Sequence, residues 1–118
     1  MSSESTDEYS IVKQLQIAKC LLISTQQLRC AIIKSCDFLT IEFFADLAFN
    51  FLKGNIDCTR HQFLCLKKYR KLLKKLASNC YGSRKFFEES IKRKRRLLCR
   101  IKDSLFWNNF LSPVVGNV

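Results

Sequence analysis

From Leu66 to Ser78 the chain reads LKKYRKLLKKLAS, and no other run constrains the fold as tightly. At about 100° per residue, Leu66, Tyr69, Leu72, Leu73 and Leu76 fall in one arc, while Lys67, Lys68, Arg70, Lys71, Lys74 and Lys75 take the remaining circumference. Such a segment holds together as a helix with one face on a core and the other in solvent. Three Gly and one Pro among 118 residues leave few turns, so the surrounding chain must also be mostly helices joined by short links. A chain of this length closes a single modest core. The expectation is an all-α, single-domain bundle of about four or five helices, with residues 1–9 a disordered tail, 10–112 the helical domain and 113–118 a C-terminal tail.

Start and stop signals place the other helices. A first helix opens near Ser10 and carries Ile11, Leu15, Ala18 and Leu22. Ser24 or Thr25 can cap a short second helix with Leu28, Ala31 and Ile32 on its apolar side, although Ile23 to Thr25 could equally be a kink. Asp37 and Thr40 provide cap chemistry for a third, whose Ile41, Phe44, Leu47, Ala48, Phe51 and Leu52 form the widest apolar stripe, and Gly54 stands where a left-handed terminating residue is wanted. Thr59 then caps a fourth helix running to about Ser78, packed on the third by Leu66, Tyr69, Leu73 and Leu76. A turn at Asn79 to Gly82 leads to a fifth helix from Ser83, where Phe87, Ile91, Leu98, Ile101 and Leu105 align and Lys94 intrudes on the apolar arc.

Charge divides the chain in two. Residues 1–56 hold five Lys/Arg against six Asp/Glu, a net −1, whereas residues 57–118 hold sixteen against four, a net +12. Self-repulsion on that scale weakens a fold unless something anionic shares the surface. The candidate contacts are Lys67, Lys68, Arg70, Lys71, Lys74 and Lys75 on the fourth helix and Lys92, Arg93, Lys94, Arg95, Arg96 and Arg100 on the fifth. A phosphate backbone gains from such an array mainly by releasing counterions, which is independent of sequence and steeply dependent on salt. The run Lys92 to Arg96 also fits a short nuclear-localisation cluster.

Other chemistries find less support. Cys58, His61 and Cys65 have C-x2-H-x3-C spacing and Cys80 follows, but no recognised second ligand pair completes a zinc site, so no metal or cofactor is expected. No base is paired to a nucleophile, no two carboxylates face each other and no Gly-rich phosphate loop occurs, so the chain is not expected to be an enzyme. Seven Cys without a CxxC pair, behind a polar and acidic start, suit reduced thiols inside a cell. The apolar runs are too short for a bilayer, which takes about 20 residues. A Lys-rich helix lying on an anionic membrane is a third reading, disfavoured because its apolar face has a use in the core.

Asn50, Leu52, Gly54, Asn55 and Ile56, then Leu66 to Ser78, the Lys/Arg run with Leu97 and Leu98, and Phe110 to Val115 follow one another in a fixed order. Together with Leu28 to Cys36 (LRCAIIKSC), this order resembles a family of short basic helical proteins from Polinton/Maverick elements and adintovirus-like animal DNA viruses. The likeness spans most of the chain. It departs from the family at Trp107 and Asn108, where a Gly-Gly is usual, and at Arg84 to Ser90, which lengthens a link. The resemblance implies a virus- or transposon-derived accessory or virion-core protein in contact with packaged DNA.

The combined expectation is a sequence-nonspecific nucleic-acid-binding protein, probed most directly with DNA, located in the nucleus or virion with the cytoplasm as the alternative. The competing reading is a small helical interaction module that binds an acidic protein or self-assembles. Its anchor would be Phe106, Trp107 and Phe110, provided that these aromatics are exposed as a patch.

Overall fold

Thr25, Asp37, Thr59 and Asp103 open helices by one device. The side-chain oxygen of each accepts a hydrogen bond from a backbone N–H two or three residues on, at Leu28 (3.3 Å), Thr40 (3.1 Å), Gln62 (3.1 Å) and Leu105 (2.9 Å). At Thr59 the Gln62 side chain accepts in turn from the Thr59 N–H, completing a capping box. The computed structural model describes residues 3–78 and 83–116. Among them it contains seven helices: α1 (Ser3–Ile23), α2 (Gln26–Ser35), α3 (Phe38–Leu52), α4 (Arg60–Lys67), α5 (Arg70–Ala77), α6 (Arg84–Arg100) and α7 (Ser104–Val115).

The all-helical class agrees with the sequence, but the helix count is higher than the four or five expected. Ile23 to Thr25 is a true break rather than a kink, the expected fourth helix is two, and the C-terminal segment forms a helix of its own. Helix α1 begins at Ser3, inside the stretch expected to be a tail. At the other end α7 runs through Pro113 to Val115, beyond the expected boundary at 112. The turn assigned to Asn79 to Gly82 lies outside the described residues.

Helix α3 is the centre, burying Ile41, Phe44, Leu47, Ala48 and Phe51 as its stripe foretells. It stops in a Schellman motif: the Asn55 N–H bonds the Asn50 carbonyl (2.9 Å), the Gly54 N–H bonds that of Phe51 (3.1 Å), and Gly54 takes a φ of 76°. A side chain at Gly54 would be strained there by its backbone alone. Helix α5 lies against α3 through Leu73 and Leu76, while α4 lies against α7. The two halves of one apolar stripe thus serve different partners, and the chain breaks at Lys68 and Tyr69 with neither Gly nor Pro present. There the Tyr69 N–H bonds the Leu66 carbonyl at 2.9 Å in a tighter turn, and the Tyr69 hydroxyl donates to Asp103 at the start of α7.

That hydroxyl bond sets a pH window. Asp103 holds the Tyr69 phenol in its protonated form, with some help from burial, and pushes it up to about 12. Because the folded value lies above the ordinary 10.0, the stabilisation is complete below pH 10 and is lost as pH rises toward 12. An absorbance titration should find one late-ionising tyrosine accompanied by alkaline unfolding, and Tyr69→Phe should abolish that late step. A wild-type titration without a late step would remove Asp103 as the partner.

The aromatics of α7 do not form the patch that the interaction-module reading requires. Phe106, Trp107 and Phe110 are buried: Trp107 and Phe110 meet Phe44, Phe106 meets both of them, ring centroids lie 5.0 to 6.5 Å apart, and the Trp107 indole N–H donates to the Ile101 carbonyl at 3.0 Å. Expected anchors of a partner surface are therefore core.

Helices α1 and α2 are rotated by about one position from the expected faces. Gln14, Ala18 and Leu21 are buried in α1 while Ile11 is exposed, and Arg29 and Ile33 are buried in α2 while Leu28 and Ala31 are exposed. The Arg29 guanidinium lies 5.8 Å from the centre of the Trp107 ring, whose electron-rich face attracts a cation, and this contact turns α2 inward at Arg29. Among the described residues no helix is long and apolar enough to cross a membrane.

Candidate nucleic-acid interface

Burying Leu73 and Leu76 of α5 turns Lys71, Lys74 and Lys75 outward, because the three lie on the opposite arc of the same helix. On α6, burying Ser90, Ile91, Lys94 and Leu98 turns Lys92, Arg93, Arg96 and Arg100 outward. Arg93, Arg96, Leu97 and Arg100 stand at i, i+3, i+4 and i+7, the spacing of one continuous ridge. Between this ridge and α5 lies a groove of about 520 Å³, lined by Lys74, Lys75, Ser78, Arg93 and Leu97. A second hollow of about 220 Å³, lined by Arg93, Arg96, Leu97 and Arg100, continues it along α6. No carboxylate lines either one. Among the described residues, ion pairs join Lys13 to Asp37 (3.1 Å) and Arg84 to Glu88 (3.4 Å), both away from this groove. The arrangement is a concave cationic track with an apolar strip, Leu97, along its floor. It is suited to following a chain of phosphates.

Lys67, Lys68, Arg70 and Lys71 are also exposed, and extend the cationic surface back along α4 and α5. Two of the expected contacts are elsewhere. Lys94 is 5 % exposed and belongs to the buried side of α6, as its place in the apolar arc foreshadowed. Arg95 is half-buried, and its Nη1 donates to the carbonyls of Ile33 (2.7 Å), Lys34 (3.2 Å) and Cys36 (2.6 Å). These are the unsatisfied carbonyls of the C-terminal turn of α2, where a cation also complements the helix dipole. Arg95 therefore fastens α6 to α2. The Gln26 side chain adds a bond to the Cys99 carbonyl at 3.2 Å across the same junction.

Sequence did not mark Ser78, Leu97 or Arg29 as site residues; Leu97 entered only with the resemblance and Ser78 only as a helix end. The ridge spacing through Leu97 was readable, whereas nothing local marks Arg29 as the cation that meets the only tryptophan.

The sulfur chemistry is local. His61 Nε2 and Cys65 Sγ lie 3.6 Å apart on α4, Cys80 falls outside the described residues, and no three His, Cys, Asp or Glu side chains gather as a metal site among those described. Burial pushes the Cys99 thiol up to about 11, with Cys30 beside it adding to the shift. Asp37, which caps α3, is held below the usual carboxylate range chiefly by its bond from Lys13. Comparison with protein-family models, with curated proteins and with solved structures finds no match to this chain.

Proposed function

We propose that this protein binds nucleic acid without sequence preference, as an accessory or virion-core type protein, through the α5–α6 groove. The observation that carries the reading is the groove itself: Lys74, Lys75, Arg93, Arg96 and Arg100 converge on one concave track that no carboxylate lines. Cations of a merely solvated face are usually interspersed with acids, as Arg84 and Glu88 are at the start of α6. Here the scaffold sorts them. Contacts to phosphate along this track would position a nucleic acid without reading its sequence. The role is one of binding rather than catalysis, and the virion-core form of it rests on the resemblance carried by Asn50 to Leu98.

The interaction-module alternative needed Phe106, Trp107 and Phe110 as its anchor, and all three are buried. Fluorescence anisotropy of the reduced protein with labelled duplex DNA of random sequence tests the proposal. Binding at about 50 mM salt should weaken at least tenfold at about 200 mM, equally for unrelated sequences. No binding at the lower salt would overturn it, and a strong preference for one sequence would overturn its nonspecific form.

A further inference from the structure

Phe51 and Phe63 open a second, smaller feature at the far end of the same cationic surface. Their rings lie 5.7 Å apart and are inclined at 38°, forming one wall of a cleft of about 200 Å³ that Leu52, Lys67 and Arg70 complete. Phe51 is buried and belongs to the core of α3, whereas Phe63 on α4 is 45 % exposed. An exposed aromatic ring beside two cations, with no carboxylate lining the space, suits a flat, electron-rich group that carries a negative charge next to it. The volume falls below the range of pockets for drug-sized molecules, roughly 300–1,000 Å³, and fits a single ring system.

The cleft and the groove each take a residue from α5. Arg70 lines the cleft and Lys74 lines the groove, and the two are one turn apart on α5, a rise of about 6 Å. A backbone leaving the cleft at Arg70 therefore meets Lys74 next. We propose that the nucleic acid bound by this protein is single-stranded at the cleft, with one base stacked on Phe63, its flanking phosphates on Lys67 and Arg70, and the following strand laid in the α5–α6 groove. A duplex keeps its bases stacked on one another and gives Phe63 nothing to hold. Pairing an aromatic platform with a cationic groove is how proteins bind single strands with little sequence preference.

The inference rests on the reading of the groove as a nucleic-acid surface, and the test separates the two. Labelled oligothymidylate and a random duplex of the same length are titrated in parallel at about 50 mM salt, with wild type, Phe63→Ala, Phe63→Leu and Phe63→Trp. Wild type should bind the single strand more tightly. Phe63→Ala and Phe63→Leu should each weaken single-strand binding by about fivefold or more while duplex binding stays within twofold, and Phe63→Trp should keep the single-strand affinity. Phe63→Leu preserves apolar bulk without a ring, so it reports stacking even if Phe63→Ala loses the α4 fold by circular dichroism. Equal binding of the single strand by wild type and Phe63→Leu, with duplex binding intact, would overturn the cleft and leave the groove standing. Failure of wild type to bind either probe would overturn both.

Discussion

Replacing Trp107 with alanine is expected to lower stability by about 3–5 kcal/mol, a large share of the roughly 5–15 kcal/mol that holds a domain of this kind together. The ring is fully buried and meets Phe44, Phe106 and Phe110, with centroids 6.5, 5.6 and 6.4 Å away. Its indole N–H satisfies the Ile101 carbonyl at the end of α6, so truncation removes a hydrogen bond as well as a large apolar volume. It also leaves the Arg29 guanidinium buried without the ring it lies over. Urea denaturation followed by far-ultraviolet circular dichroism is the appropriate measurement, since the substitution deletes the only tryptophan fluorophore. A destabilisation under about 1 kcal/mol would mean that the α7 aromatics do not close the core.

The second large effect concerns salt. A variant carrying Lys74→Ala, Lys75→Ala, Arg96→Ala and Arg100→Ala removes four cations of the groove whose side chains meet no carboxylate within ion-pair distance among the described residues. All four are exposed, so the fold should be nearly unaffected. The slope of log affinity against log salt should flatten by about 0.9 for each phosphate that the groove no longer neutralises, so by up to ~3.6 in all, and the affinity at about 50 mM salt should fall by orders of magnitude for every sequence tested. Arg95→Ala provides the contrast. Its guanidinium is spent on the carbonyls of Ile33, Lys34 and Cys36, so it should lower the melting temperature and leave the salt slope unchanged. If Arg95→Ala flattened the slope as one of the four does, Arg95 would have to be counted among the phosphate-binding side chains.

These two variants also mark where the sequence was legible. The α3 stripe, the Gly54 terminator and the Thr25, Asp37 and Thr59 caps were all readable because each is a local rule: a period, a backbone sign, an oxygen near a free N–H. The run Lys92 to Arg96 was misread in part because a helix turns about 100° per residue, so five consecutive residues point in every direction. On a helix that buries Ile91 and Leu98, a basic pentapeptide must send some members inward, and Lys94 and Arg95 are those members. The division of Leu66 to Leu76 into α4 and α5 was not readable, since its cause is tertiary: α4 has α7 to cover and α5 has α3. The same holds for α2, whose buried side is chosen by Trp107 far along the chain. Exposure of the α7 aromatics could not be decided from composition either, because a short apolar segment serves a core and a partner equally well.

The place of α7 in the core has a consequence in time. Phe44 meets the rings of Trp107 and Phe110, α4 lies against α7, and α7 in turn packs on α1, so contacts between distant parts of the chain complete the fold. A ribosome adding roughly 5–20 residues per second delivers α5 seconds before α7. During that interval the cations of α5 have been made while the core that turns them outward still lacks its α7 cover. The exposed species is a nascent chain already rich in Lys and Arg, whose core stays uncovered until a dozen uncharged residues arrive.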